Sequence, residues 1–117
     1  MGQQISFDRK TVGPGNAVVL AVSGEIDLLT SDEFDAQLKS VLTPPNETVV
    51  LDLSGVRFLS SAGLSVLLAS AEAAKATDIA FRLVTTERVI LRPLEITGLN
   101  SAFTVFGSVD EALASAN

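Results

Sequence analysis

The stretch from Val49 to Ala76, VVLDLSGVRFLSSAGLSVLLASAEAAKA, constrains this chain more than any other. It reads as a buried strand, a short glycine-containing link, and a helix that opens on two serines. Val49, Val50, Leu51 and Leu53 form a near-continuous β-favouring run, as expected of a strand covered on both faces. From Leu64 the apolar residues change to helical spacing, with Leu64, Leu67, Leu68 and Ala71 forming the stripe and Ser61, Ser65 and Glu72 on the opposite face. Ser60 and Ser61 stand at the helix start, where a hydroxyl accepts a bond from a free backbone N–H. A phosphate there would meet the same donors and the positive end of the helix dipole. On these grounds alone a serine in this place is a cap.

The flanking sequence supplies the other layers of an α/β sandwich. Ile5 to Lys10 and Ala17 to Val22 read as strands joined by the turn formers Val12-Gly13-Pro14-Gly15-Asn16, hence a β-hairpin. No helix and no Gly-Lys-Ser/Thr comes after these glycines, so they are a turn and not a phosphate loop. Thr30 with Glu33 reads as a capping box opening a helix whose stripe is Phe34, Leu38, Val41 and Leu42, stopped by Pro44-Pro45. After the organising segment come a strand at Ile79 to Val84 and a helix capped by Thr86. Pro93 is expected to kink that helix or split it in two. A short strand, Phe103 to Phe106, precedes a last helix from Val109 to Ser115, with Ser108 and Glu111 as its capping box. The order β-β-α-β-α-β-α-β-α implies one α/β domain over residues 1–117, a mixed sheet packed with about four helices.

Composition removes whole classes of function. The 117 residues suit a single core, and 47% hydrophobic with 19% charged residues describe a globular chain. A net charge of −6, with Lys and Arg scattered, argues against nucleic acid as a partner. There is no Cys for disulfide or thiol chemistry, and no His as general base or metal ligand. No metal or cofactor is expected. The uncharged run from Phe58 to Ala71 is shorter than the roughly 20 residues of a membrane span, and MGQQISFDRK lacks the apolar core of a secretory signal. The loose myristoylation pattern Met1 to Ser6 is set aside, and a cytoplasmic address is expected.

The run Asp52-Leu53-Ser54-Gly55-Val56-Arg57-Phe58-Leu59-Ser60-Ser61-Ala62-Gly63-Leu64 closely resembles the STAS domain of bacterial anti-sigma factor antagonists. In that family a strand ending in Asp-Leu-Ser/Thr leads to a phosphorylatable serine, commonly within Asp-Ser-Ser/Ala-Gly-Leu. The resemblance puts the phosphoacceptor on Ser61, with Ala62, Gly63 and Leu64 matching and Ser60 standing where the family often has Asp. Ser23-Gly24-Glu25-Ile26-Asp27 resembles the family's Gly-Glu-Leu/Ile-Asp, whose aspartate lies near the phosphoserine and the partner surface, which marks Asp27. Leu94, Ile96, Gly98 and Leu99 resemble its Leu-x-x-x-Gly-Leu segment.

The resemblance implies a binding protein switched by phosphorylation. The unphosphorylated form binds an anti-sigma factor with serine kinase activity and so frees a sigma factor. Phosphorylation of Ser61 ends the interaction, and a phosphoserine phosphatase restores it. The expected partner surface is Asp27, Ser60, Ser61, Ala62, Gly63, Leu64, Ser65 and Glu72, on a monomer or weak dimer. STAS-type modules also serve as scaffolds or ligand sensors that need no modification, and that alternative stays open. An enzyme is not expected, since Ser61 has no Gly-x-Ser-x-Gly elbow and no His beside it. A phosphoreceiver using Asp52 is the weaker reading, because such chemistry wants convergent carboxylates and a nearby cation. Glu25, Asp27 and Asp52 would converge only through the fold.

Overall fold

The computed structural model describes residues 5–13 and 15–114. The hairpin of β1 (Ile5–Val12) and β2 (Ala17–Ile26) is antiparallel. Beyond it come α1 (Ser31–Val41), β3 (Thr48–Leu59), α2 (Ser61–Ala76), β4 (Ala80–Val84), α3 (Arg88–Thr97), β5 (Thr104–Phe106) and α4 (Val109–Ala114). The five strands lie in sequence order, β2 to β5 all parallel, so the sheet is mixed as expected.

Successive crossovers in one direction along the sheet, all of one hand, put their helices on the same face. There α1, α2 and α3 cover Val18, Leu20, Val22, Val49, Leu51, Leu53 and Leu83, and close the main core with Phe34, Leu38, Leu67, Ile90 and Leu94. The alternate residues Val19, Val50 and Val84 face the other way, against Ala112 of α4. Arg82, buried on that side, donates from Nη1 to the Ala112 carbonyl at 2.7 Å and ties the short helix down.

Several boundaries differ from the sequence expectation, each for a tertiary reason. The glycine-containing link is absent, because β3 runs straight through Ser54-Gly55 to Leu59. A Cβ on Gly55 would lie 2.5 Å from Ser23 Oγ, so this glycine lets β2 and β3 stay paired through an irregular register. The second strand likewise continues past Val22 to Ile26. The fully buried line on α2 is Gly63, Leu67, Ser70 and Ala74, rotated from the expected stripe, with Leu64, Leu68 and Ala71 half-buried. Apolar residues surround much of this helix, so periodicity alone picks no face, and packing against the sheet decides it. Ser61, Ser65 and Glu72 are exposed as expected.

Capping also differs. Thr30 makes no side-chain cap bond on α1, and its hydroxyl turns back to the Glu25 carbonyl at 2.8 Å. The residue before α3 is Glu87, not Thr86, and α3 passes through Pro93 as one helix. Ahead of α4, Ser108 Oγ accepts from the Glu111 N–H as a capping box requires. Glu111 reaches one residue further back than expected, to the Gly107 N–H. A 3-10 helix at Leu99–Ala102, unforeseen in the sequence, precedes β5. The turn residue Pro14 and the helix end at Ser115 lie outside the described residues.

Candidate functional site

The site grows from the carboxyl ends of β2 and β3. Two register shifts, between Ala21 and Ser23 and between Gly24 and Glu25, each give β3 one extra residue against β2. Such irregularities bend strands and re-aim the side chains beyond them. Here they bring Ile26 opposite Leu59, and the Ser60 N–H donates to the Ile26 carbonyl at 2.8 Å. Asp27 and Ser60 are therefore adjacent at the strand ends, although their motifs are far apart in the chain.

At Ser60 the backbone is extended and the side chain caps α2, Oγ accepting from the Gly63 N–H at 3.2 Å. Ser61 is the first helical residue and is exposed. The N–H groups of the first turn have no acceptor inside the helix, so Ser61 sits at the dipole's positive end. Its neighbour Ser60 has a hydroxyl already engaged and is half-buried.

Gly63 corrects one expectation. It is buried, and a Cβ there would lie 2.6 Å from Ile26 Cγ2 and 2.7 Å from Leu59 Cδ1. It lets the first turn of α2 approach the ends of β2 and β3, and it is buried against them where an exposed surface residue was expected. Ala62 and Leu64 are half-buried and Ser65 is exposed one turn after Ser61. Glu72 is exposed on the same side but eleven residues from Ser61, about 16 Å along the axis, and is not brought to the serines.

Asp27 acts through the loop it builds. Its Oδ1 accepts from the N–H groups of Leu29 and Thr30, both at 3.0 Å, and its own N–H donates to Thr30 Oγ1 at 2.9 Å. This closed turn satisfies the N–H groups just ahead of α1, and Leu28 and Leu29 within it are each 78% exposed. Across Ser61, Phe58 is 47% and Ile96 70% exposed. These four are the exposed large hydrophobic residues among the described residues. Ser60, Ser61, Phe58, Leu64, Pro93 and Ile96 help line an open groove of about 490 Å³ between the start of α2 and α3.

Sequence reasoning passed over Leu28, Leu29, Phe58 and Ile96. The available signal was the Leu28-Leu29 pair, which stands between a strand end and a helix start and fits neither periodicity. Asp52, the receiver candidate, is half-buried mid-strand and accepts from the N–H and hydroxyl of Ser54 at 3.0 and 2.7 Å. It is not grouped with Asp27: no cluster of three or more metal-ligating side chains occurs among the described residues. Nor is any helix there long and apolar enough to cross a membrane.

A five-stranded mixed sheet with three helices on one face, and a capped helix start beside an Asp-stabilised loop, define a class of α/β regulatory module. Residues 8–112 match the model of the STAS domain, and the chain belongs to that family. It is 36% identical over 104 residues to the anti-sigma-F factor antagonist RsfB of Mycobacterium tuberculosis, spanning 88% of this chain and 84% of RsfB. Among solved structures it is similar to an anti-sigma factor antagonist from Mycobacterium paratuberculosis, with a TM-score of 0.84, 31% identity, and coverage of 94% and 92% of the two chains. The fold is also that of the unphosphorylated anti-sigma factor antagonist SpoIIAA, with a TM-score of 0.75, 17% identity, and coverage of 96% and 100%.

Proposed function

We propose that this protein is an anti-sigma factor antagonist whose unphosphorylated form binds an anti-sigma factor with serine kinase activity, and which Ser61 phosphorylation switches off. The observation that carries the reading is the exposed Ser61 at the first turn of α2, in a groove shared with the exposed Phe58 and Ile96. An apolar patch of this kind marks an interaction surface. The names of RsfB and of the Mycobacterium paratuberculosis structure support the class of partner.

The switch depends on where the charge falls. The kinase transfers the γ-phosphoryl group of ATP to Ser61 Oγ, with ADP leaving and the hydroxyl proton released. A phosphatase adds water to release inorganic phosphate and regenerate the hydroxyl. A phosphoserine carries about −1.5 to −2 charges at neutral pH. In the free domain the helix dipole favours that charge by roughly 0.3–1 kcal/mol. Within an apolar interface the dianion must lose its water, at a cost of several kcal/mol. Affinity should therefore fall at least about tenfold while the domain stays folded. Ser61 rather than Ser60 is taken as the acceptor on the Ser-Ala-Gly-Leu match, and the exposure of Ser61 beside a half-buried, capping Ser60 supports it.

This chain is then substrate and ligand, a monomer or weak dimer at a cytoplasmic address. The test is labelling with kinase and ATP, and then titration with the anti-sigma factor. Ser61→Ala should bind but resist labelling. Labelling of Ser61→Ala to the wild-type extent would overturn the assignment.

A further inference from the structure

The groove beside Ser61 has a charge that the rest of the chain does not prepare for. Arg88 and Arg92 stand one turn apart on α3 and line the same groove as Ser60 and Ser61. Both are exposed, and the ion pair found among the described residues is elsewhere, between Lys39 and Asp35. Among the described residues no carboxylate lines the groove, in a chain where acidic residues outnumber basic ones by 14 to 8. Two guanidinium groups one turn apart repel each other, so their placement costs stability unless an anion comes between them.

We infer that Arg88 and Arg92 hold the phosphate once Ser61 carries it, so that the modified domain pairs its own new charge. This rests on reading Ser61 as the phosphoacceptor. Each guanidinium presents a planar fork of donors suited to two phosphate oxygens, which a lysine could not match. The phosphate then bridges the start of α2 and the groove-facing side of α3, beside Phe58 and Ile96. Phosphorylation in this arrangement does more than repel. It fills the mouth of the apolar groove and takes two cations away from any carboxylate on the partner. Other charged groups at this end are the exposed Glu87, next to Arg88 at the start of α3, the exposed Glu95, three residues beyond Arg92, and the exposed Asp32 and Glu33 in the first turn of α1. To these are added Asp27, whose carboxylate faces the Leu29 and Thr30 N–H groups, and Glu25, half-buried in β2. Arg57 lies on the far side, in a shallow depression with Ile5, Ser6 and Ser23.

The experiment places phosphoserine at position 61 during synthesis of the chain and tracks its ³¹P shift against pH. The second ionisation should fall below its ordinary value of about 6. Arg88→Gln with Arg92→Gln should raise it again by about half a unit or more, as loss of two nearby opposite charges requires. Arg57→Gln removes the same charge outside the groove and should leave the titration nearly in place. A double variant that titrates like the parent, or an equal rise in Arg57→Gln, would overturn the pairing. Should the double variant not fold, Arg88→Gln and Arg92→Gln singly carry the test, each giving part of the rise. Because no kinase is used, a failed titration sinks the pairing alone, whereas failed labelling of Ser61 sinks the phosphorylation switch.

Discussion

The two ends of the parallel strands are built from the same sheet and finished in opposite ways. At the carboxyl ends of β2 and β3 lie Ser61, the Asp27 turn and the exposed Leu28, Leu29, Phe58 and Ile96. At the amino ends none of the exposed large hydrophobic residues among the described residues is found. Glu47 donates its N–H to the Asn16 carbonyl and accepts from the Ala80 N–H, binding three segments by backbone bonds. An open depression of about 680 Å³ there is larger than the Ser61 groove, and it mixes Glu47, Lys75 and Asp78 with alanines, Ile79 and Phe81, none of them an exposed large hydrophobic residue. Size therefore does not identify the functional end. Exposed apolar side chains cost solubility and offer nothing to the isolated fold, so their gathering at one end points to a surface made to be covered.

That contrast can be broken or sharpened by substitution. The largest effect belongs to neither end. Leu67, fully buried midway along α2, supports both, and Leu67→Ala should cost about 2–5 kcal/mol in a denaturant melt. A loss under about 1 kcal/mol would mean that α2 does not pack as described.

Next, Leu28→Asp with Leu29→Asp should weaken binding of the anti-sigma factor by about ten- to a hundredfold, as the loss of interface anchors does. Both side chains are exposed, so the melt should move by no more than about 0.5 kcal/mol. Unchanged affinity would remove the loop from the partner surface.

Asp27→Ala tests whether the carboxylate acts through the loop. Two N–H groups lose their acceptor, and stability should fall by about 0.5–2 kcal/mol. Binding should weaken less than in the double leucine variant, because Leu28 and Leu29 remain. A larger loss of binding, with stability intact, would make Asp27 a direct contact.

The smallest effect is expected at the opposite end. Lys75→Glu should change stability by no more than about 0.5 kcal/mol and leave the titration with the partner superimposable on the parent. A marked fall in affinity would erase the distinction between the two ends.

Much of this molecule is legible in the sequence because it is encoded locally. The β-favouring run at Val49 to Leu53 is a strand, the serines at 60 and 61 open a helix, and Pro44-Pro45 comes after the end of α1. Strand runs and turn formers act within a few residues, so they can be read without knowing what they touch. The resemblance around Ser61 is of the same kind, being a contiguous motif.

Tertiary structure decided the rest, because it depends on which faces meet. Apolar residues on several sides of α2 left its buried line open until the sheet took Gly63, Leu67, Ser70 and Ala74. Asp27 reached Ser60 only through two irregularities in the β2–β3 register, which no local pattern announces. Thr30 looked like the cap of α1 but its hydroxyl was drawn to the Glu25 carbonyl, while Asp27 closes the turn ahead of the helix. Leu28, Leu29, Phe58 and Ile96 are ordinary apolar residues in the sequence, and such residues default to the core. Only the completed packing, which leaves these four exposed, makes them surface instead of core.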